Sequence, residues 1–212
     1  MIFIKKKKIK KNISFLVSGR GSNFMAVARE IEKGNINAQI KIVISDKENA
    51  PVLKKSEKMG IESVFINPKL FNSREAHERE ILDILFKNET DLVVAAGYMR
   101  LLTPVFIEPF KNRIINIHPS LLPAFPGKDA QSQAIAKGVK ITGCTCHFID
   151  EGVDTGPIIM QAAIKIHQND TVNSLSQKIL TEEHKILAKS IKLFCDDKLL
   201  IQNKKVFIKP TV

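Results

Sequence analysis

The chain has 212 residues, 44% of them hydrophobic and 26% charged, with a formal net charge of +11. That length and apolar content suit one domain with a full core and exclude a disordered chain, and no stretch approaches the roughly 18 consecutive apolar residues of a spanning helix. Three cysteines, Cys144, Cys146 and Cys195, without C-x-x-C spacing argue against a disulfide framework or a zinc site and for a reducing cytoplasm.

Lys5, Lys6, Lys7, Lys8, Lys10 and Lys11 supply six of the positive charges. The run has no interleaved arginine or aromatic residue, so it reads as a solvated terminus and not as a nucleic-acid surface. The apolar stretch behind it, Ile13 to Val17, is too short for a signal-peptide core. Residues 1–12 are therefore expected to form a lysine-rich extension and residues 13–212 a single domain.

From Ile13 onward apolar, β-rich runs alternate with amphipathic segments: Ile13 to Val17, Ser22 to Lys33, Ile40 to Ile44, Ala50 to Met59 and Ile61 to Ile66. This is a βαβαβ opening. A third helix begins near Asn72 and Ser73 with early acids and an apolar stripe at Ile81, Leu82, Ile84 and Leu85. Asp91 to Ala96 reads as a buried strand. Thr103 and Pro104 then predict a short helix, threonine as N-cap and proline at N1. After the strand Ile114 to Ile117, Pro119, Pro123, Pro126 and Gly127 make a shaped loop with few conformations to lose.

A helix from about Asp129 to Lys137 follows, then a strand at Ile141 to Ile149 with Cys144 and Cys146 on one face as buried thiols. A turn at Glu151 to Gly156, a strand at Ile158 to Ile164, a long helix from about Thr171 to Phe194 and a hairpin at Leu199 to Ile208 close the chain. The pattern predicts a three-layer α/β/α fold, Rossmann-like, mostly parallel at first with antiparallel strands in the C-terminal part.

Two segments carry chemistry. The first, Ser18-Gly-Arg-Gly-Ser-Asn23, joins the first strand to the first helix, where backbone N–H groups and a helix N-terminus can hold an anion. Asp46, at the end of the second strand, gives some support to a dinucleotide fingerprint, but Phe24 occupies the third-glycine position, so a monophosphate fits better.

In the second segment Asn116 and His118 lie two apart at the C-terminal end of a buried strand, so both point the same way, at the edge where open α/β sheets bind ligands. A donating carboxamide beside an imidazole makes an oxyanion site for acyl transfer. With no adjacent serine or cysteine as an evident nucleophile, the pattern suggests direct attack by a substrate amine. A strand-end histidine also serves as a purely structural hydrogen-bonding group. The turn Asp150-Glu-Gly-Val-Asp-Thr-Gly-Pro157 shifts the balance, since an acid there would orient the histidine. Asp150, Glu151 and Asp154 remain alternatives on periodicity alone.

Together with Ala96-Gly-Tyr-Met-Arg-Leu-Leu102 and Asn116-Ile-His-Pro-Ser-Leu-Leu-Pro123, these segments resemble the folate-dependent formyltransferases, and within them the phosphoribosylglycinamide formyltransferases, from about Ile13 to Phe194. The resemblance implies transfer of a formyl group from 10-formyltetrahydrofolate to the amine of glycinamide ribonucleotide in purine biosynthesis, through a tetrahedral intermediate and without a metal. It implies Asn116, His118 and Asp154 as the catalytic trio. Met99, Arg100, Leu101 and Leu102 with Asp150 and Asp154 would bind the folate, and Gly21, Ser22, Asn23 and Glu183 the ribonucleotide.

Glu183 also falls on the 172, 175, 179, 183, 186 stripe of the last helix, where an acid needs a partner. The resemblance further implies a cis Leu122–Pro123 bond, small-molecule partners only, no nucleic acid or membrane, and a monomer or homodimer. One departure is that Lys128 and Asp129 stand in a stretch where many relatives carry a histidine. Among rival readings, a formyltetrahydrofolate hydrolase is expected to carry an added regulatory domain and a tRNA formyltransferase a nucleic-acid-binding one. A nicotinamide-dependent dehydrogenase gives no reason for Asn116 and His118.

Overall fold

The computed structural model describes residues 9–210, so Lys5 to Lys8 of the basic run lie outside the described residues. Strands β1 (Lys11–Leu16), β2 (Ala38–Ser45), β3 (Glu62–Phe65), β4 (Leu92–Ala95) and β5 (Ile114–His118) pair in parallel. Their β-branched and aromatic runs are what a sheet buried on both faces requires. Strands β6 (Ile141–Phe148) and β7 (Ile158–Lys165) add on in antiparallel pairs. The sheet order is β3-β2-β1-β4-β5-β6-β7.

The two faces of the sheet bury different residues because successive side chains alternate. Phe15, Val43, Ile115, Cys144 and Cys146 pack on one side with Phe24 and Val27 of α1 (Ser22–Glu32) and Leu175, Ile179 and Leu187 of α6 (Val172–Cys195). Leu16, Ile42, Ile44 and Val93 face the other, under Ile81 and Leu85 of α3 (Arg74–Lys87) and Phe106 of α4 (Pro104–Ile107). These are the three expected layers. Helix α2 (Pro51–Lys58) follows β2, α5 (Ala130–Ala136) follows the proline-rich loop, and β8 (Leu199–Gln202) and β9 (Lys205–Ile208) form the closing hairpin.

Three details differ from the sequence reading. The first strand begins at Lys11, two residues ahead of Ile13, because Lys11 and Asn12 already pair with Ala38 and Gln39. Val172 opens the expected stripe of α6 but is 38% exposed, since the buried face starts only at Leu175. Thr103 stands at the N-cap of α4, yet its hydroxyl does not cap that helix. It donates to the Glu78 carboxylate in α3, which also accepts from the Thr103 N–H at 3.0 Å.

Glu78 is 2% exposed, and a carboxylate out of water needs such donors more than the helix end needs its cap. Glu78→Ala should therefore lower stability by about 2–3 kcal/mol, the cost of stranding two donors that had a charged acceptor. Urea denaturation would show a lower midpoint at unchanged slope. An unchanged midpoint would mean that water replaces the carboxylate at no cost.

Candidate active site

Strand order reverses between β1 and β4, and in open α/β sheets ligands bind at the carboxyl ends of the strands flanking such a reversal. The two loops that leave β1 and β4 are bonded together there. Ser18 N–H donates to the Gly97 carbonyl at 3.0 Å, and Met99 N–H to Ser18 Oγ at 2.9 Å.

On the first of these loops Gly21 is the N-cap of α1, with φ 68°. A Cβ at Gly21 would sit 2.4 Å from Val52 Cγ2, so both the left-handed backbone and the close approach of α2 require glycine. No side chain caps α1 and no acid occupies its first turn. The first-turn N–H groups, from Ser22 onward, thus remain available to an anion. Asn23, 8% exposed, donates from Nδ2 to Glu183 Oε2 at 2.9 Å. Its Oδ1 has no donor among the described residues. Burial raises the Glu183 carboxyl above its ordinary range, opposed by the Asn23 hydrogen bond and by the nearby His118.

A cavity of about 310 Å³ lies beside the second loop. Leu101, Leu102, Pro104 and Val153 give it apolar walls, Asn116, Asp150 and Asp154 polar ones, and Arg74 and Arg100 two guanidinium groups. Met99 is 64% exposed and does not line it, contributing its backbone to the Ser18 contact instead.

At the end of β5, Asn116 sits directly opposite His147 of β6, and Asn116 Nδ2 lies 3.1 Å from His147 Nε2. His147 Nδ1 is 2.8 Å from the Phe148 carbonyl. A carbonyl only accepts, so Nδ1 carries the proton and Nε2 accepts from the amide. Burial lowers the His147 pKa, keeping the ring neutral for this task. The second N–H of the Asn116 amide has no partner among the described residues.

His118, 5% exposed, is held differently. Its Nδ1 is 3.2 Å from Asp154 Oδ2 and its Nε2 is 2.8 Å from the Phe125 carbonyl. Both partners are acceptors, so this geometry is satisfied in full only by a doubly protonated, positive ring. Asp154 Oδ2 also accepts from Gly127 N–H at 2.8 Å, and Oδ1 lies 3.7 Å from His147 Nε2. Of the three carboxylates in that turn, Asp154 is the one against His118. Asp150 instead accepts from Thr155 Oγ1 at 2.7 Å.

The proline-rich loop is fixed from the sheet. Thr145 Oγ1 donates to the Ser120 carbonyl at 2.7 Å and accepts from Leu122 N–H at 3.0 Å, while Gln161 Nε2 donates to the Leu122 carbonyl at 2.9 Å. Leu122–Pro123 is cis. Phe125 has φ 53°, a conformation costing a bulky residue on the order of 1 kcal/mol or more, and its carbonyl is the one His118 meets. The structure thus brings Asn116, His118 and Asp154 together, and Gly21, Ser22, Asn23 and Glu183 together.

Sequence reasoning missed His147 and Arg74. The period of two along β6 puts His147 on the face opposite the cysteines, but only the strand register sets it across from Asn116. Because burial keeps His147 below its ordinary value, the folded chain binds fewer protons than the unfolded one as pH falls below about 6.5, and stability declines with acid there. Burial lowers His77 and His184 in the same direction. In His147→Gln, urea midpoints at pH 7 and pH 5 should differ less than in the wild type. An equal acid loss would mean that His147 does not titrate with folding.

Residues 11–191 match the formyl transferase family. Over 175 residues, 82% of this chain and 90% of the relative, the sequence is 43% identical to phosphoribosylglycinamide formyltransferase of Bacillus subtilis. It is 41% identical to the human trifunctional purine biosynthetic protein adenosine-3, covering 88% of this chain and 18% of that longer protein. The crystal structure of glycinamide ribonucleotide transformylase 1 from Symbiobacterium toebii superposes with a TM-score of 0.95 at 40% identity, covering 99% of both chains. With this match spanning the loop from Ser18 to Asn23, the Asn116 strand and the Asp154 turn, the chain belongs to the formyl transferase family.

Proposed function

We propose that the chain transfers the formyl group of 10-formyltetrahydrofolate to the amine of glycinamide ribonucleotide, in purine biosynthesis. The observation that carries this reading is the His118 ring held between Asp154 and the Phe125 carbonyl, beside an Asn116 amide with an unspent N–H. Asn116 and Asp154 line the cavity, and Glu183, bonded to Asn23 of the glycine loop, lies near His118. The cavity beside Arg100, Leu101, Leu102, Asp150 and Asp154 suits a flat heterocycle with an anionic tail near Arg74 and Arg100. The α1 N-terminus suits a phosphate, and Asn23 Oδ1 with Glu183 suits donors such as ribose hydroxyls.

In this reading the amine nitrogen forms a bond to the formyl carbon, and the carbonyl electron pair moves onto oxygen. The Asn116 N–H and the His118 charge stabilise that oxygen more in the transition state than before it. The oxygen's electron pair then re-forms the carbonyl as the bond from the formyl carbon to the folate nitrogen breaks with its pair on nitrogen; that nitrogen gains a proton and the amine loses one, with Asp154 supporting the transfer. A covalent acyl-thiol has no candidate, since burial pushes Cys144, Cys146 and Cys195 up to about 12. The Ser120 hydroxyl is spent on the Ala124 carbonyl.

Among the described residues no helix is long and apolar enough to cross a membrane. The reading further takes the chain as one cytoplasmic domain behind a basic extension, with small-molecule partners, working as a monomer or homodimer. Purified protein mixed with 10-formyltetrahydrofolate should change the folate absorbance only when glycinamide ribonucleotide is added. Equal turnover without the acceptor would make water the acceptor and the enzyme a hydrolase.

A further inference from the structure

The loop from Ser18 to Asn23 carries more positive charge than an uncharged anion cradle does. Arg20 is exposed at its centre, between Gly19 and Gly21, and its guanidinium has no hydrogen bond or ion pair among the described residues. From the second turn of α2, the Lys55 ammonium reaches back and donates to the Arg20 carbonyl at 2.6 Å, facing no carboxylate among the described residues. The first turn of α2 supports the same loop, through Val52 N–H on the Gly19 carbonyl at 3.3 Å and the Val52 side chain against Gly21. One short loop therefore carries one cation and is bonded by a second, and neither meets an acid among the described residues.

Charge balance gives them a task. A phosphate monoester carries about −1.5 to −2 at neutral pH, whereas a helix N-terminus offers the equivalent of only about +0.5. Glu183, bonded to Asn23 in the first turn of α1, places a carboxyl group close to the same site. The unpartnered Asn23 Oδ1, in a side chain more than nine-tenths buried, is independent evidence that a ligand completes this corner. Backbone N–H groups alone leave the phosphate short of about 1 to 1.5 positive charges.

We infer that Arg20 and Lys55 form a cationic clamp on the acceptor's phosphate, an inference that rests on the acceptor reading above. Arg20 supplies paired N–H donors to two phosphate oxygens. Lys55 supplies a point charge and, through the Arg20 carbonyl, fixes the loop. The clamp makes the enzyme select phosphorylated amines over their dephosphorylated counterparts.

The test compares wild type, Arg20→Gln, Arg20→Lys and Lys55→Met in two ways: calorimetric titration with inorganic phosphate, and turnover of glycinamide ribonucleotide against its dephosphorylated riboside. Arg20→Gln should weaken phosphate binding and raise the ribonucleotide KM by about 10- to 100-fold, the range for one lost charge-assisted contact. Its kcat, its folate KM and its KM for the riboside should stay within about twofold, and Arg20→Lys should recover part of the loss. Lys55→Met should act in the same direction. Arg20-dependent phosphate binding without ribonucleotide turnover in the wild type would overturn the acceptor reading and leave the clamp standing. Phosphate binding that is indifferent to Arg20, or a KM rise shared equally by ribonucleotide and riboside, would overturn the clamp.

Discussion

One carboxylate joins the parts of this site. Asp154 lies against His118 at the end of β5 and His147 of β6, and it accepts from Gly127 in the proline-rich loop. A mostly buried carboxylate is tolerated only when charge and donors surround it. The turn that presents Asp154 and the loop that presents Gly127 and Phe125 are therefore not independent. Asp154 itself takes φ 55°, a left-handed conformation that aspartate accepts more readily than most residues.

The two histidines within reach of that carboxylate have different hydrogen-bond partners. His118 faces two acceptors and is satisfied as a cation. His147 faces one carbonyl and one amide donor and is satisfied as a neutral ring, and burial favours that state. A donor amide beside an imidazole backed by a carboxylate is an arrangement in which developing negative charge is stabilised without reorganisation. Phe125 and the loop around it hold this geometry at some cost in backbone conformation, compensated by the Thr145 and Gln161 contacts.

Much of this was legible in the sequence because it depends on local rules. The alternation of strands and helices, the glycine turn before α1, and the shared direction of Asn116 and His118 follow from periodicity and turn chemistry. What depends on tertiary register was not legible. His147 faces Asn116 only because β5 and β6 pair in one particular alignment. Thr103 carries an N-cap signature but serves Glu78, whose burial no local pattern reveals. Asp154 could not be separated from Asp150 and Glu151 by spacing, and the family resemblance was needed to choose it. Lys55 meets the Arg20 carbonyl 35 residues away, through a packing of α2 on the β1 loop that the sequence does not spell out.

If Asp154 and His118 act as one charged unit, their contributions to the rate cannot be separable. The most direct measurement is a double-mutant cycle on kcat for formyl transfer, with Asp154→Asn, His118→Asn and both together. Asparagine keeps the shape of the aspartate and suits its left-handed backbone, so Asp154→Asn removes little besides charge and should cost on the order of 100-fold or more. The account predicts that the double change costs little beyond the worse single one, as for residues that function together. Two losses that multiply cleanly would show that the carboxylate and the imidazole work independently, and would contradict it.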